Sequence, residues 1–210
     1  MKKLLLILLC SPLLFSCGDK IKKKENSIKK STKEESINLN KQKKDDLTEL
    51  FKSDLKLLSK ATNNKDWNTV LDMTYHKLLD YVTKEELIKE FESIFLLFKD
   101  FQSKASEDIV ISPIVNFEGF QFIRIFYDQE ALFTFYNNDD LYDALDNFKN
   151  GFGNNNVKVF SEKQSISVSI ESSIVAVLEK NSSKWKYIEW KEDLFDNTDI
   201  IPITVLEKLK

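Results

Sequence analysis

The sequence is poor in the residues that most enzyme chemistries need. Its 210 residues hold two cysteines, one histidine, one arginine, four glycines and three prolines. A single histidine excludes a multi-histidine metal site. Both cysteines, Cys10 and Cys17, lie at the extreme N-terminus, so disulfides, cysteine–metal sites and cysteine nucleophiles are excluded for the rest of the chain. With so little glycine, neither G-x-G-x-x-G nor G-x-x-x-x-G-K-[ST] occurs, which removes the familiar phosphate-cradling loops. A membrane-spanning helix needs about 20 mostly apolar residues. The apolar stretch Leu4 to Cys17 is shorter than that and is interrupted by Pro12.

What the first residues do contain is ordered. Lys2 and Lys3 precede the apolar run Leu4 to Leu9, a second apolar patch covers Leu13 to Phe15, and small Ser16 precedes Cys17. These are the charged region, apolar region and small-residue cleavage site of a secretory signal. Leu14-Phe15-Ser16-Cys17 resembles the lipobox of bacterial lipoproteins. The resemblance implies cleavage between Ser16 and Cys17, and acylation of the Cys17 thiol and its new amino group. Cys10 is a poor lipid site because bulky Leu9 stands where a small residue is wanted. On this reading residues 1–16 are a signal peptide, and the mature protein is held by lipid at a cell membrane or outer membrane, outside the cytoplasm.

The formal charge of −3 is unevenly spread. Residues 18–46 hold ten lysines against six acids and no aromatic residue, whereas residues 47–210 carry −9. The lysine-rich stretch cannot bury enough apolar surface to offset the entropy of ordering it, so residues 17–46 are expected to form a lipidated cysteine and an unstructured tether. An acidic domain with one arginine is not a nucleic-acid binder.

From Leu47 the pattern becomes helical. Leu47, Leu50, Phe51, Leu55, Leu58 and Ala61 share one stripe, and Asn63-Asn64 ends it. A second helix is predicted from about Asp66 to Tyr81, and a third from Lys84, where Thr83-Lys84-Glu85-Glu86 has the form of a capping box. From about Ser106 the period changes to two. A strand broken at Pro113 is predicted first, then Phe120–Phe135 with a bend or hairpin near Asp128-Gln129. A helix from Asp139 or Asp140 to Asn150 with Gly151 beyond it follows. Further strands are predicted at 157–160, 166–170, 174–179 and 185–190, with a closing helical turn over 202–209.

Helices first and antiparallel strands after them give an α+β domain over residues 47–210. Three leading helices on a curved antiparallel sheet, the segment KDWNTVLDMTYHKLLDYVTKEELI, the strand KWKYIEW and the ending IIPITVLEKL resemble envelope proteins of the NTF2-like (cystatin-like) type. The resemblance implies a cone-shaped sheet with helices over its concave face. A plain open α+β sandwich is the alternative.

Candidate sites are few. Arg124 stands among Phe120, Phe122, Ile123, Ile125 and Phe126, and alternation sets Phe122 and Phe126 on its face. In the cone, Arg124, Phe122 and Phe126 with core-facing Tyr75 could hold a small anionic ligand, since a guanidinium grips carboxylates bidentately. The competing reading is an arginine reaching across the sheet to an acid, with rings on its stem. His76 and Asp72 fall on the outward side of their helix, so His76 is expected at the surface with no orienting partner. The acidic run Asn137 to Asp140 with Asp143 and Asp146 lacks calcium-loop spacing and reads as a helix cap, so no metal is expected. Trp185 and Tyr187 share a face and Trp190 takes the other. No cofactor and no catalytic set emerge. The expected function is a lipid-anchored module that binds a ligand or another envelope protein. A small-molecule enzyme using the cone, or a purely structural adaptor, is the alternative.

Overall fold

The computed structural model describes residues 34–191, 195 and 199–210, with side chains from residue 43 onward. Ser16, Cys17 and the rest of the signal and tether up to residue 33 lie outside the described residues. The architecture is α+β: five α-helices and one six-stranded antiparallel sheet among the described residues. No described helix is long and apolar enough to cross a membrane.

Helix α1 (Glu34–Asn63) starts well before Leu47, so residues 34–46, expected to be unstructured, are helical. The packed turns at Phe51 and Leu55 supply the nucleus, and a Lys-, Gln- and Asp-bearing stretch without Gly or Pro lets the helix propagate back from it. At its other end the Asn63 side chain turns onto the sheet. Its amide donates to the Ser103 carbonyl (2.9 Å) and its oxygen accepts from the Ser103 N–H (2.7 Å), taking the place of a neighbouring strand.

The second predicted helix is cut short. Helix α2 (Trp67–Met73) is capped by Asp66, whose carboxylate accepts from the Thr69 N–H. At Thr74 the backbone becomes extended and bridges Tyr187 in parallel, with the Tyr75 N–H donating to the Tyr187 carbonyl at 2.8 Å. A 3-10 turn over His76–Asp80 follows. An open sheet edge thus competes successfully with the helix for these backbone groups. Helix α3 (Lys84–Phe95) has the predicted capping box, both halves of it formed between Thr83 and Glu86.

The strands are β1 (Asp100–Ile111), β2 (Val115–Phe117), β3 (Phe120–Thr134), β4 (Val157–Phe160), β5 (Ser165–Leu178) and β6 (Trp185–Glu189). β3 and β5 pair along their whole length, from Gln121↔Leu178 to Thr134↔Ser165. β2 and β1 flank β3, and β6 and β4 flank β5. The predicted bend at Asp128-Gln129 is absent, and so is the break inside β5. The irregularity sits in β1, which starts earlier than predicted and bulges between Ala105 and Ile109. There the Ser106 hydroxyl accepts from the Asp128 N–H. β2 and β3 are joined by Glu118-Gly119, both at positive φ (51° and 88°), the dihedrals of a type I′ hairpin. Helix α4 (Asn138–Phe152) is capped by Asn137 rather than by an aspartate and ends at Gly153 rather than Gly151. Helix α5 (Ile203–Leu209) closes the chain.

Both faces of the sheet are covered, but unequally. Odd-numbered residues of β3 face α1 to α4. Phe51 and Leu55 of α1 pack on Ile123, Ile125 and Tyr127. Trp67, Phe91, Phe95, Phe148 and Phe152 pack around Phe101 and Phe133. On the even side, Phe122, Val175, Val177 and Ile188 meet Phe195, Ile200, Val205, Leu206 and Leu209 of the C-terminal segment. That segment covers only the half of the face nearest the β2–β3 hairpin. Asp128, Glu130, Ser169 and Glu171 on the other half are exposed.

Candidate functional site

Arg124 marks the boundary between the covered and open halves of the even face. Its backbone lies at the gap between β1 and β2, where Pro113 interrupts pairing. The Arg124 N–H donates to Ser112 Oγ (2.9 Å), and the Ser112 N–H donates to the Arg124 carbonyl (2.8 Å). The guanidinium carbon is 3.7 Å from the centre of the Trp190 ring and 4.6 Å from that of Phe126, and Nε donates to Ser173 Oγ at 3.2 Å. The register explains the meeting. Phe126 faces Ser173 across β3–β5, and the Trp190 N–H donates to the Ser173 carbonyl at 3.0 Å, one residue beyond β6. Half-buried cation–ring contacts of this kind are worth about 0.5–2 kcal/mol and fix the plane of the guanidinium.

This placement revises the anticipated site. Arg124 is on the sheet face opposite α1, so it does not point under the helices. Phe122 shares its face but is buried against the C-terminal segment. Tyr75 belongs to that same buried cluster, reached from the sheet edge rather than from a helix. Burial, and then the charges of Glu179 and Asp80, push the Tyr75 hydroxyl up to about 12. Of the four expected ligand-binding residues, Arg124 and Phe126 remain together in a partly open setting. Trp190 and Ser173 join them. Alternation set Trp190 on the face opposite Trp185, but that this is the face of Arg124 depends on the β3–β5–β6 register.

Three further polar constellations are present. His76 is at the surface as expected, but not without a partner: Nδ1 lies 2.7 Å from Glu179 Oε1. On the helix-covered face, the Tyr187 hydroxyl donates to the Asp54 carboxylate, tying α1 to β6. Burial holds the Tyr187 phenol far above its ordinary range, and the bond to Asp54 adds to this. Lys191 and Glu189 form an ion pair at 3.6 Å with side chains only 8 % and 14 % exposed. Tyr127 lies within reach of the Glu189 charge, and burial pushes its hydroxyl well up. The pair carries no sequence signal, because one Lys two residues from one Glu is commonplace on a surface. Among the described residues no three His, Cys, Asp or Glu side chains converge as metal ligands.

Chemically, the Arg124 cluster is a planar cation with two rings against it and a hydroxyl beside it. Among the described residues no nucleophile–base pair is seen beside it, and the one histidine is engaged by Glu179, just past the end of β5. Such a constellation binds or packs. Neither a scan against protein-family models nor a search of the curated proteins finds a match to the chain.

Proposed function

We propose that the protein is a lipid-anchored component of the bacterial cell envelope whose α+β domain, NTF2-like in layout, is a binding module. The observation that carries this is the order of the first 17 residues: two lysines, an apolar run, and Leu14-Phe15-Ser16-Cys17. The NTF2-like reading is supported by helices preceding a long-stranded antiparallel sheet whose edge strand is bulged, since bulges bend sheets. A binding role is supported by Arg124, Trp190, Phe126 and Ser173 meeting at the border of an open sheet face. The alternative, an enzyme acting from beneath the helices, is supported by the buried Glu189–Lys191 pair, because charged groups withdrawn from water concentrate at active sites.

Intact-mass measurement of the membrane fraction tests the anchor. The wild-type protein is expected there, beginning at residue 17 with the added mass of acyl chains, while Cys17→Ala is released to the soluble fraction. Equal masses and equal solubility of the two forms would overturn the reading.

A further inference from the structure

The sheet register gathers, at one end of the domain, large apolar side chains that the sequence keeps apart. Asp100 faces Thr134, Thr134 faces Ser165, and Ser165 faces Phe160. Leu96 and Leu97 lead into the first of these strands, Tyr136 leaves the second and Phe160 ends the last. The Tyr142 hydroxyl is 3.0 Å from Ser161 Oγ, so α4 contributes its ring at this end too. All five side chains are exposed, Leu96 by 72 % and Leu97 by 64 %. Scattered exposed leucines need no explanation, but five large apolar side chains brought from four segments to one end of the domain and left exposed point to an interaction surface.

The surrounding charge selects what covers it. Asp100, Asp139, Asp140, Asp143, Asp146 and Glu162 lie in the same segments, against Lys99, Lys158 and Lys163, and all nine are exposed. A second copy docked patch to patch would bring like charges together. An anionic bilayer would repel the same acids. Position points the same way. The C-terminal end of α1 is fixed near this end by Asn63 on Ser103, whereas the chain enters α1 at Glu34, about 44 Å away at 1.5 Å per residue.

We propose that this end of the domain docks a partner protein through a cationic segment with apolar residues interleaved. The leucines and rings receive the partner's apolar side chains, and the acids receive its lysines or arginines. The proposal names the partner class for the binding module described above and rests on that reading for its setting only. Its test uses the full chain carrying Cys17→Ala, so failure of the lipid anchor leaves the docking result intact.

The probes are a peptide alternating lysine and leucine, a matching glutamate–leucine peptide, and phosphatidylglycerol vesicles. The lysine–leucine peptide is expected to bind and the glutamate–leucine peptide not to. The double change Leu96→Ser with Leu97→Ser leaves net charge unaltered and should weaken binding about tenfold or more, with thermal unfolding unchanged. Asp143→Asn with Glu162→Gln should weaken binding and flatten its salt dependence. Unchanged peptide binding by the leucine variant would show mere attraction of a polycation to an acidic protein and would overturn the proposal. So would equal binding of both peptides, binding to vesicles that the leucine changes abolish, or a concentration-dependent dimer that they dissolve.

Discussion

Leu132 and Phe133 are neighbours on β3 and stand on opposite faces of the sheet. Phe133 has ring centres of Phe98, Phe101 and Phe148 within 5.0, 5.1 and 4.8 Å, and is enclosed by the α3–β1 connection, α4 and β1. Leu132 lies half-buried on the open half of the other face, between Gln102 and Ser167. The helix-covered face carries two buried aromatic and aliphatic clusters, one at each end, with Leu58 packed against both. The opposite face is closed only where the C-terminal segment lies, and there the described covering is Phe195 followed by aliphatic side chains. Stability therefore resides chiefly under the helices, and the two proposed recognition surfaces lie at the margins: the Arg124 cluster at the border of the covered half, and the apolar end beyond Thr134.

The largest effect that would break this comparison is at Phe133 itself. Phe133→Ala should cost about 3–5 kcal/mol, and Leu132→Ala about 1 kcal/mol or less, in urea unfolding of the two variants. Similar losses at both positions would mean that the open half is covered in solution. Alkaline titration sharpens the comparison next. Tyr127 and Tyr187 lie on the helix-covered face and Tyr75 on the C-terminal side, and all three have hydroxyls raised by burial. A phenol raised in the folded state gives stability that is whole below its unfolded value of about 10 and lost as pH climbs past it. The C-terminal side should yield first, with Tyr75 ionising near pH 12. Phenolate absorbance followed alongside circular dichroism checks this, and ionisation of Tyr187 ahead of Tyr75 would reverse the order. The smallest expected effect is at the border. Arg124→Lys keeps the charge but cannot stack as a plane, so it should cost about 0.5–2 kcal/mol and shift Trp190 fluorescence. A silent substitution would remove Trp190 and Phe126 from the account of Arg124.

The parts of the fold legible beforehand were those where one local rule acted without competition. The Thr83–Glu86 box fixed the start of α3, and the apolar stripe through Phe51 and Leu55 fixed the buried side of α1. Elsewhere a local signal met a non-local partner. Helical spacing runs through Tyr75, yet the edge of β6 captured the backbone at Thr74. Asp128-Gln129 looks like a turn, yet β5 pairs straight through it, and the bulge falls on β1 instead. The polar Glu171 to Ser173 looked like a break in β5 because half of that strand faces an open surface. For Arg124, alternation correctly grouped it with Phe122 and Phe126, but both faces of this part of β3 are apolar. Alternation alone could not say which of them the helices would take.

By itself the sequence determined the order of helices before antiparallel strands, the acidic character of the folded part, the lack of a histidine–cysteine chemistry, and the lipobox-like start. These follow from composition and from periods of two and 3.6, which are properties of neighbouring residues. Only the tertiary structure decided the face of Arg124, the partner of His76, the burial of Lys191 with Glu189, and the placing of Leu97, Tyr136 and Phe160 at one end of the domain. Each of those depends on strand register and on which layer covers which face, and contacts between distant segments are set by the packing of the whole core rather than by any local preference.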